Sequence, residues 1–133
     1  MDYRNSYDEG IPLRMKGEPI VLPQLVKRAL ASDFAWSPFR QGIQIHRLYG
    51  SSDHGPSAAL LRYSPGASIP HHWHEGYEHI HVLHGSQVDA GGSYAEGTLI
   101  VNPPGSSHAV HSPDGCVVLV IWERPVSFET REV

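Results

Sequence analysis

The sequence predicts an all-β protein, built as one small closed barrel or antiparallel sandwich. Three observations carry that expectation. From Gln41 onward the chain is a succession of short β-branched and aromatic runs. Gly, Pro, Asp and Ser break these runs at close intervals, as turns require. No stretch between the runs can hold a helix of normal length, so a parallel sheet with crossover helices is disfavoured.

Taken in chain order, the first 18 or so residues, opening MDYRNSYDEG, are polar and contain Gly, and read as an arm that docks on the barrel or on a second subunit. In IVLPQLVKRAL, residues 20–30, Leu22, Leu25, Val26 and Leu30 can share a helical face. Pro23 is acceptable there only in a first turn, so a short helix or a turn is expected. The candidate strands are QGIQIHRLYG, SAALLRYS, EHIHVLHG, GTLIVN, SHAVHS and CVVLVIWERP. GSSDHGPS, PGASIP, DAGGSYAE, PPGS and PDG separate them and supply the corners. The expected organisation is a single domain: an arm with a short helix or turn over 1–35, a barrel over 36–126 and a tail over 127–133.

Composition narrows the function classes. With 133 residues the chain fits one domain with one core. A net charge of -4 with scattered Lys and Arg offers no basic stripe, so nucleic acid is not an expected partner. No apolar run approaches the roughly 20 residues of a membrane span, and no segment resembles a secretory signal. The single Cys116 excludes an internal disulfide and a CxxC zinc site, and makes a reducing cytoplasm the expected compartment.

The ten His carry the chemistry, and eight of them lie between positions 71 and 111. Alternate residues of a strand face one side, so His72 and His74 share a face. If Glu78 points inward, so do Ile80, Val82 and His84, while His79 and His81 point out. His84 lies about 20 Å along the extended strand, too far to reach the same ion. On the later strand His108, Val110 and Ser112 share a face opposite His111. Glu75, next to His74, could also swing toward such a group. Three neutral imidazoles and a carboxylate suit iron, manganese, zinc or nickel, and copper as well, better than calcium or magnesium. Buried without an ion, the same groups would pay a desolvation cost.

These residues resemble the cupin family, whose first motif is G-x5-H-x-H-x(3 or 4)-E-x6-G and whose second is G-x5-P-x-G-x2-H-x3-N. Gly66, His72, His74, Glu78 and Gly85 fit the first, and Gly97, Pro103, Gly105 and His108 fit the second, with Ser112 in place of the closing Asn. The resemblance implies a double-stranded β-helix, the cupin jelly-roll barrel. It selects Glu78 over Glu75 and implies a metal set of His72, His74, Glu78 and His108. A narrower likeness over residues 36–120, in WSPFRQGIQIHRLYG, AALLRYSPGASIPHHWH, EGTLIVNPPGSSH and SPDGC, resembles the zinc-binding cupin domain of ChrR-like anti-sigma factors. With no Cys or His before His46, it implies the barrel and the metal pocket but not sigma-factor binding.

Two function classes follow. In the first, the protein is a metal-dependent oxidoreductase of dioxygenase type acting on a small organic molecule, in a pocket walled by Leu61, Tyr63, Ile80, Val82, Leu99 or Val101, and Val110. In the second, it is a non-catalytic sensor or regulatory module with zinc in a closed site. A sugar isomerase using His as general base is a weaker third, because it would not need the full ligand set. Tyr63 and Tyr77 are candidates for the pocket mouth, Trp36 and Trp122 for core or interface anchors, and Cys116 for a small buried hydrophobe. Cupins commonly pair, so a homodimer is expected.

Overall fold

A computed structural model describes residues 17–128. The expected amino-terminal arm, apart from Gly17 and Glu18, lies outside the described residues, as do residues 129–133 of the expected tail. One short helix, α1 (Leu25–Leu30), precedes ten strands. These are β1 (Ser37–Arg40), β2 (Ile43–Tyr49), β3 (Ser57–Tyr63), β4 (Ala67–His74) and β5 (Glu78–Asp89), then β6 (Gly92–Ala95), β7 (Leu99–Asn102), β8 (Ser107–Ser112), β9 (Cys116–Trp122) and β10 (Val126–Ser127). Every pairing among the described residues is antiparallel, in the order β1-β2-β3-β9-β5-β8-β4-β10, with β6 and β7 also on β5. The sheet curls into a half-barrel, as the all-β expectation requires. No helix among the described residues is long and apolar enough to cross a membrane.

The 12-residue β5 is what makes the curl. Its first half pairs with β7 and β9, and its second half with β6 and β8. One face of the sheet closes on Ile45, Leu61, Ile80, Val82, Val110 and Val118 inside the barrel. The other face of β3 and β9 buries Leu60 and Val117 against Ala29, Phe34 and Leu83. Both faces of these two strands are therefore covered, and SAALLRY and CVVLVIW are nearly continuous apolar runs for that reason.

Four expectations are corrected. The helix buries Ala29, with Leu22 and Leu25 packed beside it, while Val26 and Leu30 are exposed. Gln24 sits in the left-handed region (φ 52°) and breaks the helical phase between Leu22 and Leu25, so the face starts afresh and runs Leu25 to Ala29. PGASIP holds the first half of β4, and DAGGSYAE the whole of β6, rather than turns alone. Pro70 is tolerated within β4 because the register shifts between Ile69 and His72 there. A second register shift between Val82 and His84 reverses the alternation of β5, leaving Leu83 buried and His84 exposed beside Glu96. His84 is thus not on the inward face, and Gln87 takes the inward position instead. Finally, Leu99 and Val101 stand opposite the outward His81 and His79 and are exposed, whereas Ile100, opposite Ile80, packs on the core.

Candidate metal centre

β4, β5 and β8 deliver four side chains to one point. His72 stands directly opposite His108 in the β4–β8 register, His74 follows on the same face, and the short turn after His74 starts β5 at Glu78. His72, His74, Glu78 and His108 place one ligand atom each within 4.8 Å of one another, so the group could hold a metal ion. The rings of His72 and His74 both lie 4.7 Å from that of His108. Three of the four are buried and His108 is nearly so.

The outer edge of each imidazole is tied down. His72 Nδ1 donates to the Pro70 carbonyl at 2.9 Å, and His108 Nδ1 to the Asp89 carboxylate at 3.0 Å. His74 Nδ1 donates to Ser106 Oγ at 2.9 Å, since the Ser106 hydroxyl is itself spent as a donor on the Pro103 carbonyl. A carbonyl and a carboxylate can only accept, so all three protons sit on Nδ1 and all three Nε2 lone pairs face the centre. Glu78 is held in the same way: Asn102 Nδ2 donates to Oε1 at 3.0 Å and Trp122 Nε1 to Oε2 at 2.8 Å.

With the three rings neutral, the consequence is a cluster of acceptors with no donor among them. His74 Nε2 is buried and unbonded although Glu78 Oε1 is 3.0 Å away, and His108 Nε2 lies 3.7 Å from the same oxygen. Lone pair against lone pair is unfavourable unless a cation lies between them, so the residues present fit a metal ion. Burial pushes His72 down to about 4, against the opposing pull of the Pro70 carbonyl and Glu78, which keeps this ring neutral at neutral pH. Burial alone would raise the Glu78 carboxyl, but the adjoining imidazoles, His74 foremost, hold it below its ordinary value.

Beside this group opens a cavity of about 590 Å³, lined among others by Leu61, Tyr63, Ile69, Ile80, Val110 and Val120. Arg40, Arg47 and Gln87 also line it, and Phe128 lies against His72 with ring centroids 5.5 Å apart. Burial raises the Tyr63 hydroxyl well above its ordinary value, so it stays a neutral donor. Tyr77 is about half exposed and does not line the cavity. His71, His84 and His111 are exposed, and His79 and His81 are half-buried outside the group. Glu75 is exposed and also lies outside it. Sequence reasoning missed Asp89, Asn102 and Ser106, and it took Trp122 for an anchor alone. Ser112, at the departed motif position, donates to the Ser86 carbonyl at 2.6 Å and ties β8 to β5.

The model of the ChrR cupin-like domain family matches residues 27–127. The chain belongs to the ChrR cupin-like family. No curated protein matches it in sequence. A chain in the structure of Rhodobacter sphaeroides SigE bound to the anti-sigma ChrR is 22% identical with a TM-score of 0.60, over 69% of this chain and 50% of that one. This cupin-like chain thus spans only half the length of that relative. An acetylacetone dioxygenase from Acinetobacter johnsonii is 16% identical with a TM-score of 0.67, over 88% and 80% of the two chains. A putative acetylacetone dioxygenase from Methylibium petroleiphilum is 18% identical with a TM-score of 0.70, over 89% and 85%. At these identities the likeness is one of fold.

Proposed function

We propose that His72, His74, Glu78 and His108 hold one divalent transition metal ion, and that the protein is a metal-dependent oxidoreductase of dioxygenase type acting on a small organic molecule. The observation that carries this reading is the convergence of three Nε2 lone pairs and a carboxylate, each braced from outside and none able to donate to another. Iron, manganese, zinc and nickel all suit such a donor set. When bound, the ion supplies Lewis acidity and, for iron or manganese, redox chemistry. The chain's own residues do the rest. The apolar wall excludes water and packs a compact substrate, Arg40 and Arg47 attract an anionic one, and the Tyr63 hydroxyl can donate to it.

Anaerobic purification followed by elemental analysis tests this directly. About one iron or manganese per chain is expected, with oxygen uptake on some member of a panel of enols, thiols and phenols. Tightly held zinc with no oxygen uptake across that panel would overturn it. That outcome would favour a second reading, a zinc-binding regulatory module, which the family match itself supports. In the regulatory case, chelation should lower Tm sharply, because the ion binds only the folded chain.

We propose further that the protein forms a homodimer, with the exposed apolar residues Leu99, Val101 and Ile121 on the outer face of β7 and β9 supporting that reading. A cytoplasmic location fits the buried free thiol of Cys116, which burial pushes up to about 11.

A further inference from the structure

One side chain that lines the cavity carries a buried amide unpaired among the described residues. Gln87 is 1% exposed, and neither its amide nitrogen nor its amide oxygen has a hydrogen-bond partner among the described residues. Folds pair nearly all such groups, because an unpaired buried amide is destabilising. Two polar side chains that strand alternation and register set beside it, Ser112 and Asp89, are already committed. The Ser112 hydroxyl bonds the Ser86 carbonyl, and the Asp89 carboxylate takes His108 Nδ1–H and the Gly91 N–H. Gln87 nevertheless lines the same cavity as His72, Glu78 and His108.

Its place relative to the metal group follows from register. Val88 stands opposite His111, which sets Gln87 beside the Val110–Ser112 end of β8. Inward positions on β8 run His108, Val110, Ser112, each step about 7 Å at roughly 3.4 Å per residue. Gln87 thus lies two steps beyond His108 along β8, with Leu61, Ile69, Ile80 and Val120 along the cavity wall.

We propose that Gln87 is the specificity-determining residue of this cavity. Its ligand is a compact organic anion whose far end carries a carboxamide, or another group that both donates and accepts a hydrogen bond. The inference rests on the metal reading above: the anionic end is the one that binds the ion held by His72, His74, Glu78 and His108. A primary amide offers donors and an acceptor in one plane, so a carboxamide satisfies both of its ends at once. A group that only accepts leaves the Gln87 oxygen unpaired, and an apolar end leaves both atoms unpaired. That mismatch is how a hydrogen-bonding site rejects close analogues more strongly than an apolar pocket can. The wall between the two ends suits a flat or short apolar body, and Arg40 and Arg47 favour negative charge.

The test loads the full chain with zinc, verifies the metal content, and titrates it calorimetrically with 4-carbamoylbenzoate and 4-methylbenzoate. These acids share a shape and differ only at the end meant for Gln87. The wild type should bind the carbamoyl acid at least about tenfold more tightly, and Gln87→Leu should bring the two within about threefold. Because Leu removes an unpaired amide from the interior, the unliganded variant should melt at or above the wild-type Tm. Equal affinities in the wild type, no binding of either acid, or a Gln87→Leu Tm more than about 3 °C lower would each overturn the proposal. A chain that takes up no zinc overturns the ring reading instead, so the two failures are distinguishable.

Discussion

His108 owes its tautomer to a residue 19 positions away. Asp89 accepts its Nδ1 proton, accepts the Gly91 N–H at 2.8 Å, and meets the Tyr94 hydroxyl, whose titration the Asp89 charge pushes up. A carboxylate in that position makes the opposite ring nitrogen a stronger donor to a cation. Asp89→Asn keeps an acceptor there but removes the charge. It should weaken metal binding by about 10- to 100-fold while the fold persists, as read by competition with a chelator of known affinity. A variant within twofold of the wild type would show that the dyad is not tuning the site. The four converging residues themselves were legible in the sequence, because strand alternation and motif spacing are local. Asp89, Asn102, Ser106 and Trp122 were not, because each reaches its partner across 19 to 44 residues through the curl of the sheet.

At the scale of elements, the departures from simple alternation are what shape the site. The shift in β4 lets both Ile69 and His72 face inward, and places the Pro70 carbonyl where it receives His72 Nδ1–H. The shift in β5 turns His84 out and Gln87 in. Neither could be read from the sequence, since a bulge changes the parity of every residue after it without leaving a fixed signature. The strands that could be read, such as β3 and β9, are those whose apolar runs report burial on both faces. Gly85 follows the β5 shift at φ 76°, and a Cβ there would meet the Gly115 carbonyl oxygen at 2.2 Å. Gly66 has a similar φ of 85°, but nothing lies within 4 Å of its Cβ position. Gly85→Ala should therefore cost about 2–4 kcal/mol, strain plus clash, and Gly66→Ala only about 1–2, strain alone. Urea midpoints of the two variants measure the difference, and equal losses would mean that the Gly85 contact is not tight.

The whole molecule presents an outer face that the described residues leave uncovered. Val101, His79 and Ile121 stand in one row across β7, β5 and β9, with Leu99 and His81 in the row two residues along. Leu99 is 60% exposed and Val101 47%. Exposed apolar side chains grouped in this way, with two imidazoles among them, favour a contact surface. Sedimentation should give twice the 14.7 kDa chain mass, and Val101→Glu combined with Ile121→Glu should give that mass once with an unchanged far-ultraviolet spectrum. A monomeric wild type would remove the dimer from the reading. One last consequence comes from β5, which both halves of the sheet share and which carries Glu78 at its start and Asp89 at its end. Neither half can peel away without pulling on the ring from one side, so the four side chains stay together only while both halves of the sheet stay joined. Whatever loosens the barrel disperses the site with it.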